Sequence, residues 1–184
     1  ERLFALFNQQ YAGQHGKPRW GDQTGLIERF ADQVFAAYPG SKMLHLIRDP
    51  RDRYEASIAK HPNGKGRIGG ATARWLLTTR QASRNFTCYP DRYKIIQYET
   101  LVREPEQTLR DICAFLDEDF YADMLEMNGA PDFRDKILRG TYGEVGSNLI
   151  STNFIGRDKQ SVAKEELAFM QMLAGKRMQA YGYE

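Results

Sequence analysis

A short, mostly apolar run, Lys42-Met43-Leu44-His45-Leu46-Ile47, stops abruptly at Arg48-Asp49-Pro50-Arg51-Asp52. Such a run is typical of a buried parallel strand, which is covered on both faces and so carries apolar residues throughout. Proline is accommodated in the first turn of a helix. A helix is therefore expected to begin near Pro50 or Asp52 and to continue through Ser57 to Lys60. A strand that turns directly into a helix is the repeating unit of α/β architectures, whose ligands sit beyond the carboxyl ends of the strands.

The remaining chain fits that frame. Leu3, Phe4, Leu6 and Phe7 form a helical stripe over Arg2 to Tyr11, closed by Gly13 and Gly16. A loop or short strand is expected over Lys17 to Asp22. Thr24 is placed to cap a helix running to about Tyr38, with Leu26, Ile27, Phe30, Val34 and Phe35 on one face. Pro39-Gly40 stops it. The stretch from His61 to Gly70, with four glycines and a proline, predicts a mobile loop, and a long helix follows from about Ala71 to Phe86. Tyr89-Pro90-Asp91-Arg92 predicts a turn and Tyr93 to Tyr98 a second strand. Pro105 starts another helix, with Leu109, Ile112, Cys113 and Leu116 as its stripe. Residues 117–161 are irregular. The last helix is expected over Ala163 to Ala180, with Leu167, Met170 and Leu173 facing inward. The pattern predicts a three-layer α/β/α fold with a mostly parallel sheet, forming a single domain over 1–184.

Net charge is only +2, but its distribution is uneven. Between Lys42 and Arg84, ten Lys or Arg stand against three Asp or Glu, a local +7 that leaves −5 elsewhere. The asymmetry suits an anionic ligand, and a set of solvated helix faces would account for it equally. Asp49, Asp52 and Glu55 interrupt the basic segment and no nucleic-acid module is recognisable, so nucleic acid is not expected as a partner. Cys88 and Cys113 show no metal-ligand spacing, and a single pair is no disulfide framework. No apolar run approaches the roughly 18 residues of a membrane span, and no signal peptide is visible.

The chemistry concentrates at Arg48. It sits where a strand ends and a helix begins, and the unpaired amides of a helix N-terminus together with its dipole suit a phosphate. A guanidinium adds a permanent, planar charge, and Ser57 offers a hydroxyl further along the helix. The alternative is structural, with Arg48 pairing Asp49 or Asp52 and closing the sheet.

Four segments in order then resemble the sulfotransferase superfamily. Leu46-Ile47-Arg48-Asp49-Pro50-Arg51-Asp52 is similar to its 3′-phosphate-binding motif, and Trp20-Gly21-Asp22-Gln23-Thr24 to its Trp-Gly-Glu/Asp-Lys-Thr-Pro segment. Tyr98-Glu99-Thr100-Leu101-Val102 with Pro105, and Ile155-Gly156-Arg157 with the helix to Tyr181-Gly182-Tyr183, resemble later landmarks. The resemblance implies a P-loop-NTPase-like fold and the transfer of a sulfuryl group from 3′-phosphoadenosine-5′-phosphosulfate to a hydroxyl or amine of a small-molecule or saccharide acceptor, without a metal. It assigns Arg48 and Ser57 to the 3′-phosphate, Tyr98 to the adenine, and Ser151 and Thr152 (with Asn153) to the phosphate loop. Asp22 matches the acidic position and is the candidate base, although a helix cap before Thr24 explains it too. His45 reads as a satisfied core histidine and Trp75 as core. Lys65 and Arg67 are candidates for a lid or a solvated loop.

Departures from the family pattern leave other functions open. The glycine-rich loop for the 5′-phosphosulfate and the strand before it do not occur in this sequence, which points to an N-terminally incomplete domain. Gln23 replaces the family lysine, Gly25 the proline, and Ala56 stands where the phosphate-binding serine is usual, one residue before Ser57. A one-residue shift turns a helical side chain by about 100°. A degenerate nucleotide-binding homologue without catalysis, or a related nucleotide kinase, are the competing readings. A cytoplasmic location is expected, and the sequence leaves the oligomeric state open.

Overall fold

The computed structural model describes residues 2–60, 63, 66–126, 150, 152, 155–156 and 162–183. The chain divides into two compact units, Glu1–Ser41 and Lys42–Glu184.

In the first unit, α1 spans Arg2–Gln14, so Gly13 lies inside the helix and only Gly16 ends it. Gly16 adopts φ 65 while its amide bonds to the Gly13 carbonyl and the Lys17 amide to that of Ala12. This is the Schellman arrangement, which needs a left-handed residue that glycine supplies without strain. Trp20 meets Phe4 edge-on with centroids 5.7 Å apart, and meets Tyr38 in the same way at 6.1 Å. The single helix expected from Thr24 to Tyr38 is broken. Leu26 sits at φ 66, a 3₁₀ turn covers Ile27–Phe30, and α2 is only Ala31–Ala37. A left-handed leucine cannot continue a right-handed helix, and the Thr24 hydroxyl bonds the Asp22 carboxylate instead of capping. Ala31 and Phe35 are buried, whereas Leu26 and Phe30 are exposed.

The second unit is built on two parallel strands. β1 (Met43–Ile47) pairs with β2 (Tyr93–Gln97) in register from Met43↔Tyr93 to Ile47↔Gln97. A parallel pair needs a long crossover, here α3 (Pro50–Lys60) and α4 (Ile68–Cys88). Beyond β2 come α5 (Tyr98–Arg103), α6 (Pro105–Leu116), a 3₁₀ turn at Ala122–Leu125 and α7 (Lys164–Ala180). Alternate strand residues point to opposite faces. On one face His45 reaches the Tyr93 hydroxyl and Thr78 of α4. On the other, the Lys42 and Lys94 ammonium groups lie 5.4 and 5.7 Å from the Phe115 ring centroid of α6. Helices therefore contact both faces of the sheet, as an α/β sandwich requires. β1 is less covered than a buried parallel strand should be: Leu46 is 53% exposed and Leu44 is also exposed.

Two further expectations are corrected. α4 begins at Ile68, so Gly69 and Gly70 belong to the helix rather than the loop. Its buried positions, Ile68, Thr72, Trp75, Thr79, Ala82 and Asn85, recur at helical spacing, and α4 packs on α7, β2 and α3. The Thr72 and Thr79 hydroxyls bond back to the carbonyls of Ile68 and Trp75, which makes polar side chains tolerable there. The inward stripe of α7 is Met170, Ala174, Gly175 and Met178, and Leu173 is exposed. Cys88 and Cys113 are free, the first exposed and the second buried.

Candidate active site

Parallel register decides what meets at the end of the sheet. Ile47 pairs with Gln97, so the next residues, Arg48 and Tyr98, leave the two strands together. The Arg48 guanidinium carbon lies 4.7 Å from the Tyr98 ring centroid, within cation–π range. Tyr98 is not the last strand residue, as expected, but the first residue of α5. The indole N–H of Trp75 donates to the Arg48 carbonyl at 3.0 Å. Trp75 is 1% exposed, so the sheet end rests on a core residue whose one polar atom is used.

The helix N-terminus beyond Arg48 is occupied from within. The Asp49 Oδ1 accepts the Arg51 amide at 2.9 Å, and the Arg51 guanidinium closes on the same carboxylate at 3.0 Å and 2.7 Å. Asp49 is thus a side-chain cap, and the arginine that neutralises it is Arg51. The Asp49 amide in turn donates to Glu99 Oε1 at 2.9 Å, and Pro50 has no amide hydrogen. The expected gathering of open amide donors around Arg48 is corrected here, because those of Asp49 and Arg51 are already bonded within the protein. Arg48 brings a permanent guanidinium charge to the end of the sheet.

Glu99 is a residue that sequence reasoning missed. It is 7% exposed, and its other oxygen, Oε2, accepts the Tyr183 hydroxyl at 3.0 Å. Burial and then the Glu99 carboxylate push the Tyr183 phenol well above the ordinary tyrosine value, so Tyr183 remains a donor. An acid in the first turn of a short helix carries no periodic signal that would have singled it out.

The Gly156 amide donates to Asp52 Oδ2 at 2.7 Å, tying Gly156 to the start of α3. The Thr152 carbonyl accepts the Ile155 amide at 3.0 Å, and Thr152 is exposed. Ser57 is exposed on α3 and Ala56 half-buried, while the buried positions of that helix are Pro50, Asp52, Tyr54, Glu55 and Ile58. Ser151, Asn153, Arg157 and Lys65 lie outside the described residues, and Arg67 is exposed before α4. In the first unit Asp22 is exposed and accepts the Thr24 hydroxyl. Among the described residues no group of three or more His, Cys, Asp or Glu could hold a metal ion, and no helix is long and apolar enough to cross a membrane.

The sequence profile of the sulfotransferase family matches residues 2–123. The chain belongs to the sulfotransferase family. Its fold is similar to two solved sulfotransferase domains. One is from the curacin biosynthetic pathway, with TM-score 0.65 and 19% identity over 100% of this chain and 68% of that one. The other is from the Synechococcus PCC 7002 olefin synthase, with TM-score 0.73 and 20% identity over 95% of this chain and 62% of that one. This sulfotransferase chain thus spans about two thirds of the length of either. No curated protein matches it.

Proposed function

We propose that this sulfotransferase chain forms the 3′-phosphate and adenine side of a site for 3′-phosphoadenosine-5′-phosphosulfate, and that the complete protein passes the sulfuryl group to a hydroxyl or amine of a small molecule or saccharide. The observation that carries the reading is the pairing of Arg48 and Tyr98 at the carboxyl ends of two parallel strands, 4.7 Å apart. A permanent cation beside a flat aromatic ring fits a phosphate next to a purine.

The donor supplies an activated sulfuryl group, and sulfur changes partner from the 5′-phosphate oxygen to the acceptor atom. The work left to the protein is positioning and charge stabilisation, as in phosphoryl transfer. Arg48 holds the nucleotide by its 3′-phosphate, and Tyr98 flanks the base. Ser57, Ser151 and Thr152 are the further hydroxyls assigned to the phosphate, with Ser57 the least supported because α3 starts at Pro50 and leaves it exposed. Asp22 is the assigned base for the acceptor proton, on its match to the acidic family position and its exposed carboxylate.

The test is calorimetry with adenosine 3′,5′-bisphosphate on the complete protein. Arg48→Ala is expected to weaken binding by roughly 1.5–3 kcal/mol, the value of a charge-assisted contact. Unchanged affinity would remove the basis of the reading. Binding without sulfuryl transfer would instead identify a nucleotide-binding homologue that has lost catalysis.

A further inference from the structure

We propose that Glu99 and Tyr183 are positioning residues for the Arg48 guanidinium, acting through the single peptide group that joins Arg48 to Asp49. This rests on the reading of Arg48 as the 3′-phosphate contact.

The Arg48 carbonyl and the Asp49 amide belong to one planar peptide unit. Its oxygen accepts the Trp75 indole N–H at 3.0 Å, and its N–H donates to Glu99 at 2.9 Å. Both polar edges of the plane are therefore held by side chains from other elements, α4 and α5. A plane held at both edges cannot swivel, so ψ of Arg48 and φ of Asp49 are set. The direction in which Arg48 leaves the strand then follows.

Glu99 needs both of its oxygens for this. One takes the Asp49 amide and the other takes the Tyr183 hydroxyl at 3.0 Å, with Tyr183 6% exposed. A buried carboxylate is costly, and an apolar residue would pack as well. With one oxygen on each, the carboxylate joins an amide at the sheet end to the phenol of Tyr183, which lies just beyond α7. Tyr183 arrives there because α7 ends in a Schellman motif. Gly182 has φ 75, its amide bonds to the Gln179 carbonyl, and the Tyr183 amide bonds to that of Met178. The Tyr183 ring then packs beside Trp75, with centroids 6.3 Å apart, so both clamps on the peptide brace each other.

The experiment compares affinities for adenosine 3′,5′-bisphosphate and adenosine 5′-monophosphate, whose ratio reads the 3′-phosphate contact alone. In the complete protein, Arg48→Ala should collapse the ratio. Glu99→Ala should lower it about tenfold, in line with loss of a charge-assisted hydrogen bond. Glu99→Gln, which keeps an acceptor for the Asp49 amide, should restore most of it, and Tyr183→Phe should lower it by a few-fold. A ratio unchanged by Glu99→Ala, or equal weakening of both nucleotides, would overturn the positioning role while Arg48→Ala still responds. If Glu99→Ala does not fold, Tyr183→Phe decides on the same criterion. A ratio indifferent to Arg48→Ala would instead overturn the underlying site.

Discussion

Trp75 and Arg48, 27 residues apart, are joined by one hydrogen bond from the indole N–H to the main-chain carbonyl, 3.0 Å long. The bond couples the buried face of α4 to the end of β1. Trp75→Phe keeps an aromatic ring but leaves a carbonyl without that donor. The cost expected is about 1–3 kcal/mol of stability, read by chemical denaturation. The same variant should weaken nucleotide binding, because one edge of the Arg48 peptide is released.

Asp52 is 2% exposed and holds the Gly156 amide at 2.7 Å across 104 positions of sequence. Asp52→Ala should cost roughly 1.5–3 kcal/mol, as for a hydrogen bond to a charged acceptor. Amide hydrogen exchange at Gly156 should accelerate. Asp52→Asn retains an acceptor and should lose less.

Gly182 stands at φ 75, with nothing within 4 Å of where a Cβ would be. The penalty of Gly182→Ala is therefore one of backbone conformation and not of crowding, about 1–2 kcal/mol. Gly182→Asn should lose less, because asparagine tolerates the left-handed region. The melting temperatures of both variants test the order.

Tyr54 donates to Glu166 Oε1 at 2.6 Å. Burial and then Glu166 push its phenol from 10.0 up to about 12. A folded-state value above the unfolded one gives stability that is complete below pH 10 and lost as pH rises toward 12. Burial and Glu99 raise Tyr183 in the same sense, which steepens the loss. Denaturation midpoints should fall through that window, and Tyr54→Phe should flatten the fall.

Much of the fold was legible because its signals are local. The apolar run before Arg48 became β1, Pro50 and Pro105 became the first residues of α3 and α6, and the turn before Tyr93 fell where expected. Signals of that kind failed where tertiary packing overrode them. Gly69 and Gly70 look like loop, yet they sit in α4 where Phe169 of α7 lies 3.6 Å from a Cβ built on Gly69. Leu173 looks like core, yet it is exposed, and α7 turns Met170, Ala174, Gly175 and Met178 inward. Leu26, an ordinary leucine, takes a left-handed conformation that nothing in its neighbours announces.

The candidate site divides in the same way. Arg48 and Tyr98 were identifiable in the sequence because each directly follows a run that reads as a strand, and such runs follow from residue pattern. Their 4.7 Å approach required the register of β1 on β2, which depends on residues 50 positions apart pairing in space. The cap at Asp49, and the clasp of Glu99 on the Asp49 amide and the Tyr183 hydroxyl, were decided only by folding. By itself the sequence determined the strand-to-helix turn, its cation and its family, since these depend on neighbouring residues. The tertiary structure decided which buried donors and acceptors meet, because hydrogen-bond partners are chosen by distance in space and leave no periodic trace along the chain.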